Sequence, residues 1–292
     1  MVMIKRMLAL LGSGALAILL LRQAETAAQA VRDGVQLCLT SVIPALFPFF
    51  AVSSLLVALG AAEAAGRVLA HPFGRLFHCG GAGCAALLLG LVGGYPVGAR
   101  TAAELVRRGE LSPAEGARLL TFCNNAGPAF AIGVAGVSVF GSARTGAWLY
   151  LLHCAAALLT GLLFCRRPLP VTAMPKRPAP PQTGLTGQFL RAVEGAVSAM
   201  ARVCGFVVFF LVLLRLAEGL IGPLPPLAAG VLELTNGILR LTPDRRGFVT
   251  AAALLGWGGR SGISLRLYVP AKAVQAALSA GLAALLAPYL LP

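Results

Sequence analysis

This 292-residue chain has little charge: 12% of its residues are charged, and its ten acids stand against 24 lysines and arginines. A soluble domain carries about 25% charged residues, so this chain cannot clothe itself in a polar shell. With 58% hydrophobic residues and a mean hydropathy of +0.84, it reads as an integral membrane protein. No Gly-x-x-x-x-Gly-Lys-Ser/Thr loop occurs, so direct ATP coupling by this chain is not expected. Seven cysteines, an odd number spread singly through apolar stretches, form no disulfide framework and read as small buried hydrophobes.

The net charge of +14 would suggest nucleic acid in a soluble protein. Here the basic residues flank apolar runs and are not interleaved with stacking aromatics, so they anchor the chain at membrane surfaces and no nucleic-acid partner is expected. The densest basic loop, "CRRPLPVTAMPKRPAPPQTG", holds Arg166, Arg167, Lys176 and Arg177 without an acid. The positive-inside rule places it in the cytoplasm, and its prolines make it a semi-rigid linker. The N-terminus is expected on the same side, with Arg67 and Arg75 on an interfacial helix over residues 60–78.

Apolar runs at 7–21, 35–59, 84–92, 128–140, 147–165, 203–220, 251–257 and 274–291 predict six to eight membrane segments. Several are too short to span as single helices. The first 30 residues have the look of a secretory signal, with a basic start and small residues at Ala28 and Ala30. We read them as an uncleaved helix because later spans already supply insertion signals. Short, Gly/Pro-interrupted segments point inward, since irregular backbone at membrane depth must be packed in protein or line a polar cavity.

Two stretches repeat one order of parts. "ELSPAEGARLLTFCNNAG" (110–127) and "RLTPDRRGFVTAAALLGWGG" (240–259) each run leucine, hydroxyl residue, proline, acid, apolar helix and then a Gly/Asn break. Ser112 and Thr242 are the expected N-caps, Pro113 and Pro243 the first helical residues, and Glu115 and Asp244 the first-turn acids. A second interruption precedes each copy, "GGYPVGAR" (93–100) and "LELTNGI" (232–238). The expected architecture is all-α and polytopic: two related units with broken or re-entrant helices, arranged as an inverted repeat about a central site. The expected boundaries are 1–34 for an N-terminal helix and connection, 35–165 and 188–292 for the two units, and 166–187 for the linker.

Close packing of helices on small residues accounts for Gly133 and Gly136. It does not account for Asn124, Asn125, Glu233 and Asn236, because polar groups at membrane depth are costly without partners. Gly127 can turn the chain and Pro128 can open a new helix, aiming the N–H groups near Ala129 and Phe130 at the break, a position that attracts anions. Pro96 offers the same after Tyr95, and the break at 258–262 a third opening. Asn124 and Asn125 bring amide donors and acceptors without charge. Arg100 could meet either Glu104 or a bound carboxylate, and Arg260 is a second candidate cation. Glu233 is the candidate for proton coupling.

"GGYPVGAR", "LSPAEGARLLTFCNNAGPAFAIGVAG", "LELTNGI" and "GWGGRSG" together resemble the sporulation integral membrane protein YlbJ family, whose members carry the nucleoside-recognition or Gate domain in duplicate. The resemblance runs from about Val42 to the C-terminus and rests most on "GYPVGA" combined with "CNNAGP". It implies a multipass protein related to concentrative nucleoside transporters, acting in endospore formation by moving dipicolinate across the outer forespore membrane. Partners would be the bilayer, the solute and either further copies or other sporulation membrane proteins. The residues it marks are Tyr95, Pro96, Gly98, Asn124, Asn125, Gly127 and Pro128, then Glu233, Thr235, Asn236, Gly237, Gly258, Gly259 and Ser261. The chain departs from the family at Arg260 and at 264–266.

Dipicolinate, a small aromatic dianion, suits helix ends and arginines; a nucleoside suits the asparagines, Glu233 and Thr235. A membrane scaffold for spore assembly is the third reading, limited by the short linker. An enzyme is not expected. "GRSG" resembles an intramembrane protease motif, yet no histidine base follows Ser261, and His153 reads as a helix-bonding residue. "HCGGAGC" offers three potential ligands where zinc wants four, so neither metal nor cofactor is expected.

Overall fold

A computed structural model of the chain describes residues 2–59, 61–78, 81–166, 184–258 and 265–291. Among these residues the fold is all-helical: α1 Val2–Arg22, α2 Ala24–Leu37, α3 Ile43–Ala58, α4 Ala61–Phe77, α5 Gly81–Gly93, α6 Val97–Arg107, α7 Pro113–Cys123, α8 Ala143–Phe164, α9 Leu185–Ile221, α10 Pro226–Leu232, α11 Leu234–Ile238, α12 Arg245–Trp257 and α13 Leu265–Leu290. Two π-helical stretches, Cys38–Val42 and Ala129–Val139, join α2 to α3 and lead towards α8.

Four helical stretches among the described residues are long and apolar enough to cross a membrane: Ala24–Leu56, Ala143–Phe164, Leu185–Ile221 and Leu267–Leu290. Two shorter apolar helices, Gly83–Gly93 and Ala129–Val139, are the broken segments expected from their length. On α9, Phe206 is 61% exposed, a placement that suits lipid and not water. Helix α4 is amphipathic and keeps Arg67 and Arg75 exposed, as an interfacial helix would.

Local chemistry fixes the helix starts. Ser112 and Glu115 form a reciprocal capping box, the Ser112 hydroxyl accepting from the Glu115 N–H (3.2 Å) and the Glu115 carboxylate from the Ser112 N–H (2.8 Å), with Pro113 first in α7. The second copy differs from its expected form. Asp244, not Thr242, caps α12, accepting from the Gly247 N–H at 2.6 Å while the Thr242 hydroxyl donates to its other oxygen at 2.9 Å. A carboxylate is the stronger acceptor for backbone donors, so the acid displaces the hydroxyl residue two positions earlier.

The core is shared. One apolar cluster joins Val42, Phe130, Val134 and Leu149 to Met200, Ile238, Phe248 and Leu254, so helices from before and after the basic linker bury their faces on each other. Gly133 and Gly136 belong to this packing: a Cβ at Gly136 would lie 2.6 Å from the Gly146 Cα. Of the cysteines, Cys38, Cys84, Cys123 and Cys165 are buried free thiols, while Cys154 and Cys204 are half-buried.

Candidate functional site

The two interruptions of the first half touch each other. Gly94 takes a left-handed conformation (φ +70°), and a Cβ there would lie 2.7 Å from the Gly127 nitrogen. Only glycine meets both demands, the positive φ and the absent side chain. Gly98 similarly lets α6 approach the end of α7: a Cβ on it would stand 2.0 Å from the Cys123 carbonyl oxygen. The backbone of "CNNAGP" is thereby pressed into the centre of the protein.

Its side chains are met from the C-terminal helix. Asn124 Nδ2 donates to Tyr268 Oη at 2.8 Å, Lys272 Nζ donates to the Asn124 carbonyl at 2.5 Å and to Gln275 Oε1 at 2.8 Å, and Gln275 Nε2 donates to Asn125 Oδ1 at 2.9 Å. Asn125 Nδ2 turns back to the Phe122 carbonyl, 2.7 Å away. The Ala126 N–H donates to His153 Nε2 on α8 at 3.1 Å. Tyr95 closes the opposite side, donating to the Leu255 carbonyl on α12 at 3.0 Å, with its ring 6.0 Å from Lys272 Nζ. Asn124, Asn125, His153, Tyr268, Lys272 and Gln275 are all buried, none above 5% exposed. This is an occluded polar junction enclosed by apolar helices.

The other expected residues divide. Pro96 and Pro128 sit at the N-cap positions of α6 and of the π-helical stretch, one residue before the helical start expected of them. The N–H groups of Phe130 and Ala131 bond back to the Gly127 carbonyl, so they are not aimed at the break. Arg100 stands on the exposed face of α6, and Glu104 is taken by Arg107 and Arg108. The Arg108 hydrogen bond holds the Glu104 carboxyl below its ordinary value. Glu233 caps α11, its two oxygens accepting from the N–H groups of Thr235 (3.0 Å) and Asn236 (2.8 Å); the Asn236 amide donates to the Val207 carbonyl at 3.2 Å. Among the described residues no bond of Glu233, Thr235 or Asn236 reaches the junction. Gly258 does adjoin it, since a Cβ there would lie 3.0 Å from Tyr95 Oη. Gly259, Arg260 and Ser261 lie outside the described residues. So does Cys79, and no group of metal-ligating side chains occurs among the described residues.

Sequence reading missed Tyr268, Lys272 and Gln275. The signal was present: positions i, i+4 and i+7 of one helix share a face, and these three polar residues stand so in an apolar helix. The apolar run taken for the last span, 274–291, began just after Lys272 and so left the most informative residue outside it. Arg240 has a carboxylate partner in Glu218.

An all-helical membrane protein with a buried polar junction at a broken helix is the class that fold and site define. Residues 39–171 match the family Gate, described as nucleoside recognition. Over 135 residues the chain is 35% identical to the sporulation integral membrane protein YlbJ of Bacillus subtilis (strain 168), which is 46% of this chain and 33% of that protein. Both findings agree with the resemblance to the YlbJ family carried by the motifs of the first half, and the family match ends at residue 171. The chain spans about a third of the length of the relative it matches. No solved structure matches it.

Proposed function

We propose that this protein is a sporulation-associated transporter that moves a small polar or anionic solute, dipicolinate foremost, across the outer forespore membrane. The observation that supports this most is the junction itself, where Asn124 and Asn125 in a helix break are held by Tyr268, Lys272 and Gln275 inside an apolar body. Buried polar groups of this density are costly in a membrane protein and mark solute or ion pathways. At the break after Gly127 the N–H groups of Phe130 and Ala131 bond to the Gly127 carbonyl, and the Lys272 amine is the group that would attract a carboxylate. Two tyrosine rings flank that amine and suit a flat aromatic solute. In this reading the two units form an inverted pair about the junction.

A nucleoside is the second reading, favoured by the description of the matching family and by three side-chain amides in one site. Flux of labelled dipicolinate into proteoliposomes, with a nucleoside as competitor, separates the two. Saturable dipicolinate flux lost in Asn125→Ala and Gln275→Ala supports the dianion. Nucleoside flux alone replaces it with the second reading, and no flux of either moves the protein to a scaffold role.

A further inference from the structure

Lys272 is buried to 2% exposure and takes part in none of the ion pairs among the described residues, which all use arginines. Its nitrogen donates to two neutral oxygens, the Asn124 carbonyl and Gln275 Oε1. Those two bonds account for both hydrogens of a neutral amine. An ammonium carries a third, and among the described residues the rings of Tyr95 and Tyr268 lie 6.0 Å and 5.7 Å from the nitrogen.

Among the described residues the titratable groups around it are Tyr95 before α6, Cys123 at the end of α7, His153 on α8 and Tyr268 on its own helix. The described bonds of α12 to this junction come from a backbone carbonyl, that of Leu255. His153 accepts the Ala126 N–H at Nε2, so its ring is neutral. Phenols, a thiol and a neutral imidazole supply no fixed countercharge. A lysine paired with a carboxylate keeps its proton; one held by neutral acceptors in a low-dielectric interior can release it without stranding an anion.

We propose that Lys272 is the proton-coupling group of the site: it binds a carboxylate solute as the ammonium and returns empty as the neutral amine, so that one proton crosses with each solute. This rests on the transporter reading above. The proton comes from water on the side where solute enters and returns to water where it leaves; no covalent bond is made. A charged empty site would have to be carried across the bilayer at a cost of several kcal/mol, whereas in the loaded site the ammonium offsets one of the two carboxylates and leaves a single negative charge for the amide donors. The second carboxylate of dipicolinate would meet the amide donors of Asn124, Asn125 and Gln275. This assignment moves coupling from Glu233, whose oxygens cap α11, to a residue inside the junction.

The test uses the full chain. In proteoliposomes with the membrane potential clamped at zero and a pH difference of one unit, labelled dipicolinate should accumulate about tenfold in the alkaline compartment, the ratio for one proton per solute. Lys272→Gln should show no accumulation. Titration calorimetry of the wild type with dipicolinate in two buffers of different ionisation enthalpy should report uptake of about one proton per solute bound at a pH where the free amine is neutral, and none in Lys272→Arg, which cannot lose its proton. Flux without proton movement, or proton coupling that survives in Lys272→Gln, overturns the proposal and leaves the transporter reading standing. Absence of both binding and flux overturns the two together.

Discussion

Gln275 donates to Asn125 across 2.9 Å, joining residues 150 positions apart in the chain. The bond fastens the C-terminal helix to the helix break within the segment that matches the Gate family, and both residues are fully buried. Gln275→Ala leaves the Asn125 oxygen without this donor, a loss of about 1–3 kcal/mol for a buried polar group. The double variant Asn125→Ala/Gln275→Ala should lose less than the sum of the single changes, by about 1 kcal/mol, because both ends of one bond are removed together. Reversible unfolding in detergent measures the cycle; strict additivity would show that the bond carries no coupling.

Glycines of this chain divide into those whose Cβ would meet backbone and those where it would meet nothing. Gly98→Ala places a methyl group against the Cys123 carbonyl, where a Cβ would lie 2.0 Å away, and Gly90→Ala does so at 1.7 Å. Neither backbone can yield without opening the break, so each change should cost about 1–3 kcal/mol or more and reduce the yield of folded protein. Gly14→Ala in α1 meets nothing within 4 Å and should be neutral or stabilising by about 0.5–1 kcal/mol. Thermal unfolding of the purified variants gives the comparison.

Glu233 acts as a helix cap in this structure. Glu233→Asn should retain part of the cap, its single amide oxygen accepting from one of the two N–H groups, and so should lose less stability than Glu233→Ala, which should lose about 0.5–2 kcal/mol. Neither change should alter the proton stoichiometry of dipicolinate accumulation. A stable Glu233→Asn protein that had lost proton coupling would return that role to the acid.

The cap of α12 gives a pH dependence with a defined sign. The Gly247 N–H chiefly, and then the Thr242 hydroxyl, hold the Asp244 carboxyl below its ordinary value of 3.8. A lowered folded value means that the unfolded chain binds the proton first, so the stability from this cap is fully present above the ordinary value and is lost as pH falls through the lower folded one. Melting curves between pH 2 and 6 should show the wild type losing its margin over Asp244→Ala in that window. A margin that persists unchanged at the acid end would contradict the sign.

Much of the architecture was legible because it follows from local rules. Hydropathy found the long spans, the short apolar runs marked the broken helices, and the Ser112 capping box appeared where "SPAE" required it. Where two local rules competed, sequence order misled: both Thr242 and Asp244 can cap a helix, and the choice depended on which side chain faced the free N–H groups of α12. Arg100 and Arg107 show the same limit. Their spacings from Glu104 allowed either to pair with it, and helix orientation in the folded protein left Arg100 exposed and gave the acid to Arg107 and Arg108.

By itself the sequence determined that this chain enters a membrane, that it is helical, and that its helices break at Tyr95–Pro96 and at "CNNAGP". Those properties depend on composition, on hydrophobic run length and on residues whose backbone preferences act over a few positions. Only the tertiary structure decided what the breaks face. Lys272 and Gln275 meet Asn124 and Asn125 because α13 packs against α7 and α8, and helix-to-helix pairing over some 150 residues depends on packing between distant surfaces, which no local pattern encodes.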